Sequence, residues 1–560
     1  MDSMQPTPRD PHTEQPDPSP APEPAPQPGA EPAPAPRVAV VVIGYNDRAH
    51  VAHAVRSALS QGPAVAEVIA VDDCSTDGSD RLLARLAAGE PRLRVVRRAV
   101  NSGGCGSPRN TGIDAATTPY VMFLDSDDIL PAGAVDALLA AATETGAEVT
   151  SGLCVRRELP SGSEQPWQVP LYTERTVLAH PSRHPRLIND TLCVNKLYRT
   201  GFLREHGIRF PEGRFLYEDF VFTARVLAAG PRVALVPDRV YVWQVRRSAE
   251  RLSLSLDRGH IANWTARLEA CTLAYDILLS AGQKELARAT RAKFLDHEMR
   301  MYARELGLRD AHYQRAWWAR TREYLEHYDA ADWALNPGAP GRLLARVVMA
   351  SPEPRDLARL RELAARPARL LPPYARTADG DPVWSADLPQ VSLAPLSDRA
   401  AAALPLAVDA ELRPRARASL LRLRLHELYG KVAEAGPREV DVVWQARENE
   451  HTRGRATVAL TPSGADTWSA VVPVDLARLG SGTWDLRLTL RFADGTRREV
   501  TAHALGGDGR LRRRAVPSTV HGVLLAQPYA THSGALALRV ATGLSGVLTV
   551  VRGRLRRLLH

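Results

Sequence analysis

Three textures of apolar and polar residues follow one another along the chain. From Arg37 the run RVAVVVIGYN reads as a fully buried strand, and Asn46 or Asp47 can cap a helix whose apolar face is Val51, Val55, Ala58 and Leu59. The unit repeats as EVIAV then DRLLARLAA, LRVVRR then a glycine-rich loop and helix, and YVMFL then AVDALLAAATE. Strands alternating with helices at this spacing predict a Rossmann-like, mostly parallel sheet covered on both faces. From residue 257 to 375 the period becomes helical, as in WTARLEACTLAYDILLSAG and QRAWWARTREYLEHY, broken by NPGAPG at 336–341. No chemistry is evident in that stretch. Beyond residue 378 the period falls to two: Trp484, Leu486, Leu488, Leu490 and Phe492 share one face, and Asp494 with Gly495 marks a hairpin turn. Leu421, Leu423 and Leu425 repeat the pattern, as do Val440, Val442 and Trp444. About seven short strands in roughly a hundred residues predict an immunoglobulin-like sandwich.

Composition adds limits to this picture. The 560 residues are 24% charged and 44% hydrophobic, which suits a folded protein of several domains. Residues 1–36 hold 13 prolines and almost no large apolar side chain, and are expected to be a disordered tail. No run of ~18 apolar residues occurs and MDSMQPTPRD lacks the layout of a signal peptide, so neither a membrane span nor export is expected. Five cysteines without a CxxC favour a reducing cytoplasm over a disulfide frame or zinc ribbon. The net charge of +9 is concentrated at one end: residues 505–560 carry nine arginines against one aspartate, a net of +8. Without interleaved aromatics this end does not read as a nucleic-acid site.

The chemistry-bearing residues gather where ligands bind in open α/β sheets, beyond the carboxyl ends of the strands. There the first strand delivers Tyr45 and Asn46, the second Asp72 and Asp73, the third NSGGCGSPRNTG with Arg109, and the fourth LDSDD. Asp125, Asp127 and Asp128 would repel one another unless solvated or bound to a cation, and their hard oxygens suit Mg²⁺ or Mn²⁺ shared with a substrate diphosphate. Alternatively Asp127 or Asp128 caps the next helix, and Asp72 and Asp73 form a capped turn with Ser75, Thr76 and Asp77. The glycine loop is neither a dinucleotide fingerprint nor a P-loop: Arg109 occupies the third GxGxxG position and no GK[ST] follows.

VVIGYN, VDDCSTDGS, NSGGCGSPRNTG, FLDSDD and NKLYRTGFLREHGIRFPEGRFLYEDFVF, in this order, resemble a family 2 glycosyltransferase of the GT-A fold over residues 37–255. Two departures appear, Gly44 where the family usually has proline, and Ser107 with Pro108 where small residues often precede Arg-Asn; neither removes a chemical group. The resemblance implies that Tyr45, Asn46 and Asp72 or Asp73 hold the base of a nucleotide sugar, with Arg109 and Asn110 also on the donor side. Asp125 and Asp127 would form the metal-binding DxD, with Asp127 favoured as the direct ligand. Glu218 would face the acceptor and Asp219 would be the base of an inverting transfer, the competing reading of Asp219 being a helix N-cap. VYVWQVRRSAERLSLS resembles a segment that folds over the donor diphosphate, which nominates Arg246, Arg247, Ser253 and Ser255. His180, His184 and Trp243 are candidates for the acceptor groove, or for ordinary packing.

The expected division is a tail (1–36), a catalytic domain (37–257), a helical domain (258–378), a β-sandwich (379–507) and a basic β module or tail (508–560). This layout resembles the wall teichoic acid glycosyltransferases and related surface-polymer enzymes. It implies a UDP-sugar donor, a polysaccharide or polyol-phosphate acceptor, homo-oligomerisation, and a cytoplasmic protein whose Arg-rich end meets an anionic membrane. The alternatives are a glycoside hydrolase with two carboxylates and a carbohydrate-binding or assembly protein with a silent α/β domain.

Overall fold

In the computed structural model of the protein, the described residues are 37–246, 257–415, 419–448, 451–464, 466–506, 511–531 and 533–543. The first region is built on a nine-stranded sheet. Its strands are β1 (Val38–Gly44), β2 (Val65–Asp72), β3 (Leu93–Arg97), β4 (Tyr120–Asp125), β5 (Val149–Leu159), β6 (Glu164–Pro166), β7 (Thr176–Leu178), β8 (Lys196–Arg199) and β9 (Val233–Arg246). The order is β3-β2-β1-β4-β8-β5-β9-β7, with β6 on β5. The four repeated βα units form the parallel half, β3 to β4, as their apolar runs predict. Antiparallel β8 then joins β4 to β5.

Register aligns the carboxyl ends. Gly44 pairs with Asp72, Ile43 with Asp125, and Asp72 with Arg97. The chain order reverses between β1 and β4, so a crevice forms there, flanked by the loops that carry Tyr45, Asp72 and Asp125. Helices α1 (Val51–Leu59), α2 (Ser79–Ala87), α3 (Gly106–Ala115), α4 (Ala134–Thr145), α5 (Thr200–Glu205) and α6 (Glu218–Ala228) complete this region.

The glycine-rich loop before α3 has a steric purpose. A Cβ on Gly104 would lie 2.6 Å from the carbonyl oxygen of Gly213, and one on Gly106 would collide with that of Pro211. These glycines let the loop seat directly on the backbone of the segment that leads into α6.

Seven helices follow: α7 (Ile261–Ser280), α8 (Lys284–Lys293), α9 (Arg300–Leu306), α10 (Ala311–Glu326), α11 (Ala330–Ala334), α12 (Pro340–Ala350) and α13 (Leu357–Ala364), with a π-helical turn at Phe294–Met299. The NPGAPG break separates α11 from α12 and ends in the first turn of α12, with Pro340 at its start. Trp264, Trp317 and Trp318 are fully buried, and their core runs without interruption into the C-terminal β region. Helix α7 serves two cores: Trp264, Leu268 and Cys271 face this one, while Ala274 and Leu278 join that of the sheet.

The β region holds a five-stranded and a seven-stranded sheet. Strand Gly482–Phe492 buries Trp484, Leu486, Leu488, Leu490 and Phe492, the face its alternation predicts, and turns at Gly495 into Arg497–Val500. Residues Leu536–Thr542 pair with its start, so strands beyond residue 508 extend the same sheet. Among the described residues no helix is long and apolar enough to cross a membrane.

Gly106→Ala is expected to lower the thermal midpoint, since overpacking costs ~1–3 kcal/mol and a backbone carbonyl cannot rotate aside. Thermal denaturation followed by circular dichroism checks this; an unchanged midpoint would mean that the two loops part freely.

Candidate active site

Arg109 lies in the first turn of α3 and is almost fully buried. Its guanidinium donates to three carboxylates from two distant parts of the chain. One terminal nitrogen reaches Glu218 Oε1 at 2.6 Å and Asp219 Oδ1 at 3.0 Å, and the other reaches Asp125 Oδ1 at 2.8 Å. Expected on the donor side, Arg109 instead turns inward and ties the end of β4 to the start of α6. Asn110 is likewise turned to structure: it donates to Phe210 O and Glu212 Oε1, and accepts from the Phe210 amide.

Glu218 and Asp219 occupy the first turn of α6, but neither caps it. The N-cap is Tyr217, whose backbone is left-handed at φ 67°, and it makes no side-chain capping bond. Burial, then the charge of Asp219, pushes the Glu218 carboxyl up to about 7 against the pull of Arg109. Burial also raises Asp219, which accepts hydrogen bonds from the Cys193 amide and thiol. Desolvation therefore outweighs one guanidinium shared among three carboxylates.

Across the crevice, Asp127 is half exposed, and Arg246 stands 3.7 Å from its carboxylate and donates to its backbone carbonyl at 3.1 Å. The protein packed around it, then the charges of Asp125 and Asp47, push its pKa up to about 6. A half-exposed hard-oxygen ligand with excess negative charge nearby suits a divalent cation. Asp125 is less available, because Arg109 holds Oδ1. Among the described residues no three His, Cys, Asp or Glu side chains converge into a cage. The donor set thus fits a cation that completes its shell with phosphate oxygens and water, as Mg²⁺ commonly does. Asp128 does not cap the next helix, which begins after Gly133. It is buried and accepts from Tyr241 Oη and the Gln244 amide, both at 2.7 Å, joining β4 to β9.

On the other flank Tyr45 is 43% exposed. Asn46, at φ 50°, accepts from the Thr76 amide at 2.7 Å and so braces the loop after β2. Asp72 and Asp73 are both buried, but differ in what remains unused. Asp73 Oδ2 accepts from Asn101 and from the amide and hydroxyl of Ser102, while Oδ1 meets Arg98 at 2.9 Å. Asp72 Oδ2 accepts from the Ser75 amide, and Oδ1 has no hydrogen-bond partner. Arg247, Ser253 and Ser255 lie outside the described residues. His180 is bound to Ser182 and Gln283, and Trp243 packs on Trp167 and Arg156.

Two supporting groups were not legible as such. Tyr217 Oη donates to Asn263 Oδ1 at 2.7 Å, Tyr302 donates to the same oxygen, and the Tyr217 ring lies 4.0 Å from the Arg267 guanidinium, which pairs with buried Glu298. The helical region, read as free of chemistry, therefore grips the residue that precedes Glu218. Behind Cys193, buried Asp190 accepts from Trp167, Tyr172, Asn195 and Lys196. Asn195 and Lys196 sit inside the motif NKLYR, and only that motif hinted at the network.

Comparison with known proteins places the region that carries these residues in a family. Residues 39–206 match the family model "Glycosyl transferase family 2". The succinoglycan biosynthesis protein ExoO of Rhizobium meliloti (strain 1021) is 30% identical over 249 residues, 42% of this chain and 68% of ExoO. The poly(ribitol-phosphate) beta-N-acetylglucosaminyltransferase TarS of Staphylococcus aureus strain Mu50 is 29% identical over 219 residues, 39% of this chain but only 37% of that relative. The crystal structure of S. aureus TarS superposes with a TM-score of 0.51 at 19% identity, covering 91% of this chain and 86% of the other, a likeness of fold. The matched model spans the βα units that carry Asp72, Arg109 and Asp125, and identity with ExoO is sustained over two thirds of that protein: the chain belongs to glycosyl transferase family 2.

Proposed function

We propose that the chain is an inverting, metal-dependent transferase that moves a sugar from a UDP-sugar to a hydroxyl of a cell-envelope polymer. The observation that carries this reading is the convergence of Asp125, Glu218 and Asp219 on Arg109 at the crevice. It sets an acceptor-side carboxylate pair against the donor-side Asp127. The named relatives, one a succinoglycan biosynthesis protein and one a poly(ribitol-phosphate) transferase, support a polymer acceptor.

Asp219 is the base. Its side chain is 21% exposed against 13% for Glu218, so it is the better placed to meet an acceptor hydroxyl. It takes the hydroxyl proton as the oxygen bonds to the anomeric carbon, and the bond to the diphosphate breaks with its electron pair leaving on UDP. One in-line displacement inverts the anomeric centre. Arg109 favours the ionised form of Asp219, and burial with the like charge of Asp125 opposes it. Tyr45 offers a stacking face for the base, and of the two buried carboxylates behind it Asp72, whose Oδ1 is not met by an arginine as Asp73 Oδ1 is by Arg98, is the one we assign to the base. Asp127, with Asp125 beside it, would hold Mn²⁺ or Mg²⁺, which when bound offsets the charge of the departing diphosphate. Arg246 flanks the same place.

The same reading makes the chain cytoplasmic, homo-oligomeric through its β region, which we read as immunoglobulin-like, and peripheral at the membrane through its Arg-rich end.

Asp219→Asn should reduce transfer by ~10²–10⁴-fold while UDP binding persists, measured as UDP release from a donor panel with Mn²⁺ alongside calorimetry; near wild-type turnover would remove Asp219 as base. Because the base works ionised and burial raises Asp219, the acid limb of the kcat/KM profile should lie above the ordinary carboxylate range and level at higher pH; a limb at the ordinary aspartate position would count against Asp219. Since the folded pKa of Glu218 lies above its ordinary value, its stabilising contribution is present at acidic pH and lost as pH rises through about 7; Glu218→Gln should flatten that loss in melts between about pH 5 and 8. Arg109→Ala should cost ~3–5 kcal/mol in denaturant titrations by leaving three carboxylates without their counter-charge.

A further inference from the structure

Away from the carboxylate cluster, a cavity of about 290 Å³ lies where the helical region meets the β region. Four arginines line it: Arg300 from α9, Arg366 just beyond α13, Arg399 from the connection into the β region, and Arg498 from strand Arg497–Val500. Pro340 and Pro405 contribute to its wall, and no Asp or Glu is among the lining residues. None of these residues belongs to the site around Arg109.

The arginines come from four separate segments, and three of them donate to backbone carbonyls. Arg300 donates to Ala364, Arg366 to Asp296 at 3.0 Å, and Arg498 to Ala401 and Leu404 at 3.0 and 3.2 Å. Carbonyls satisfy donors without cancelling charge. The carboxylate of Asp296, which acts on Arg300, is itself held by Arg342 at 3.1 Å. Burial, then the charge of Arg366, pushes the Arg300 pKa down to about 10, and burial with Arg399 lowers that of Arg498. Like charges around one partly desolvated space repel, and an anion in that space would relieve the repulsion. A tetrahedral oxyanion can meet guanidinium forks from several directions, whereas a planar carboxylate matches one or two. The volume is at the lower end of small-ligand sites, ~300 Å³.

We propose that this cavity binds a phosphoryl group, either as a free phosphomonoester or as a phosphodiester within a chain. The proposal goes beyond the transferase reading and does not depend on it.

Calorimetry on the full chain at low salt, with inorganic phosphate and with a short glycerol-phosphate oligomer, tests the site. Saturable binding is expected, weakened about tenfold or more in Arg366→Gln/Arg399→Gln. The unliganded double variant should melt at or above the wild-type midpoint, because it has lost repulsion; if it melts lower, Arg399→Lys, which keeps the charge, should bind better than Arg399→Gln. Tighter binding of the oligomer assigns a chain phosphodiester, and equal or tighter binding of phosphate assigns a free monoester. Absence of saturable binding of either probe, or equal affinity in wild type and all the variants, overturns the proposal.

Discussion

One buried guanidinium ties the carboxylates of the crevice together. Arg109 bonds across 110 positions of sequence to Asp219 and across 16 to Asp125, so the cluster forms only when β4 and α6 are both seated against α3. A lysine could supply the charge but not two donating edges aimed in different directions. The cost of burying so much charge is visible in Glu218 and Asp219, both raised by burial, Glu218 to about 7.

The elements that depend on local pattern were legible. Continuous apolar runs separated by helical stretches specify the parallel half of the sheet, and the alternation at 484–492 specifies a half-buried strand, because in both cases burial of neighbouring side chains decides the conformation. The register of the strands brings the motifs to one rim of the sheet. What could not be read was how the polar residues within them are used. Arg109 and Asn110 stand side by side in one motif, yet Arg109 bonds the first turn of α6 and Asn110 the segment before it, and nothing within ten residues of either discloses those partners. The glycines of the same loop match neither phosphate-binding fingerprint, and the backbone they admit is the protein's own.

The helical region shows the same limit from the other side. Its sequence advertises amphipathic packing and conceals a buried pair, Arg267 with Glu298, that closes beneath Tyr217. Tyr217 holds a left-handed backbone without being glycine, a conformation that persists only where surrounding contacts over-determine it. The ring stacked near Arg267 and the hydroxyl bound to Asn263 supply those contacts. Helices that carry no catalytic group thus set the direction in which the carboxylate pair leaves the sheet.

Helix α7 contributes one stripe to the core of the sheet and another to a core that continues through the helices into both β-sheets. Regions that share side chains in this way are not interchangeable cassettes. In evolution, a β region recruited for a different surface could not have been exchanged by recombination at residue 378 alone; the helical interior would have had to change with it. Diversification of such a chain is therefore channelled toward loops and exposed faces, with the joint between catalysis and accessory region inherited as one piece.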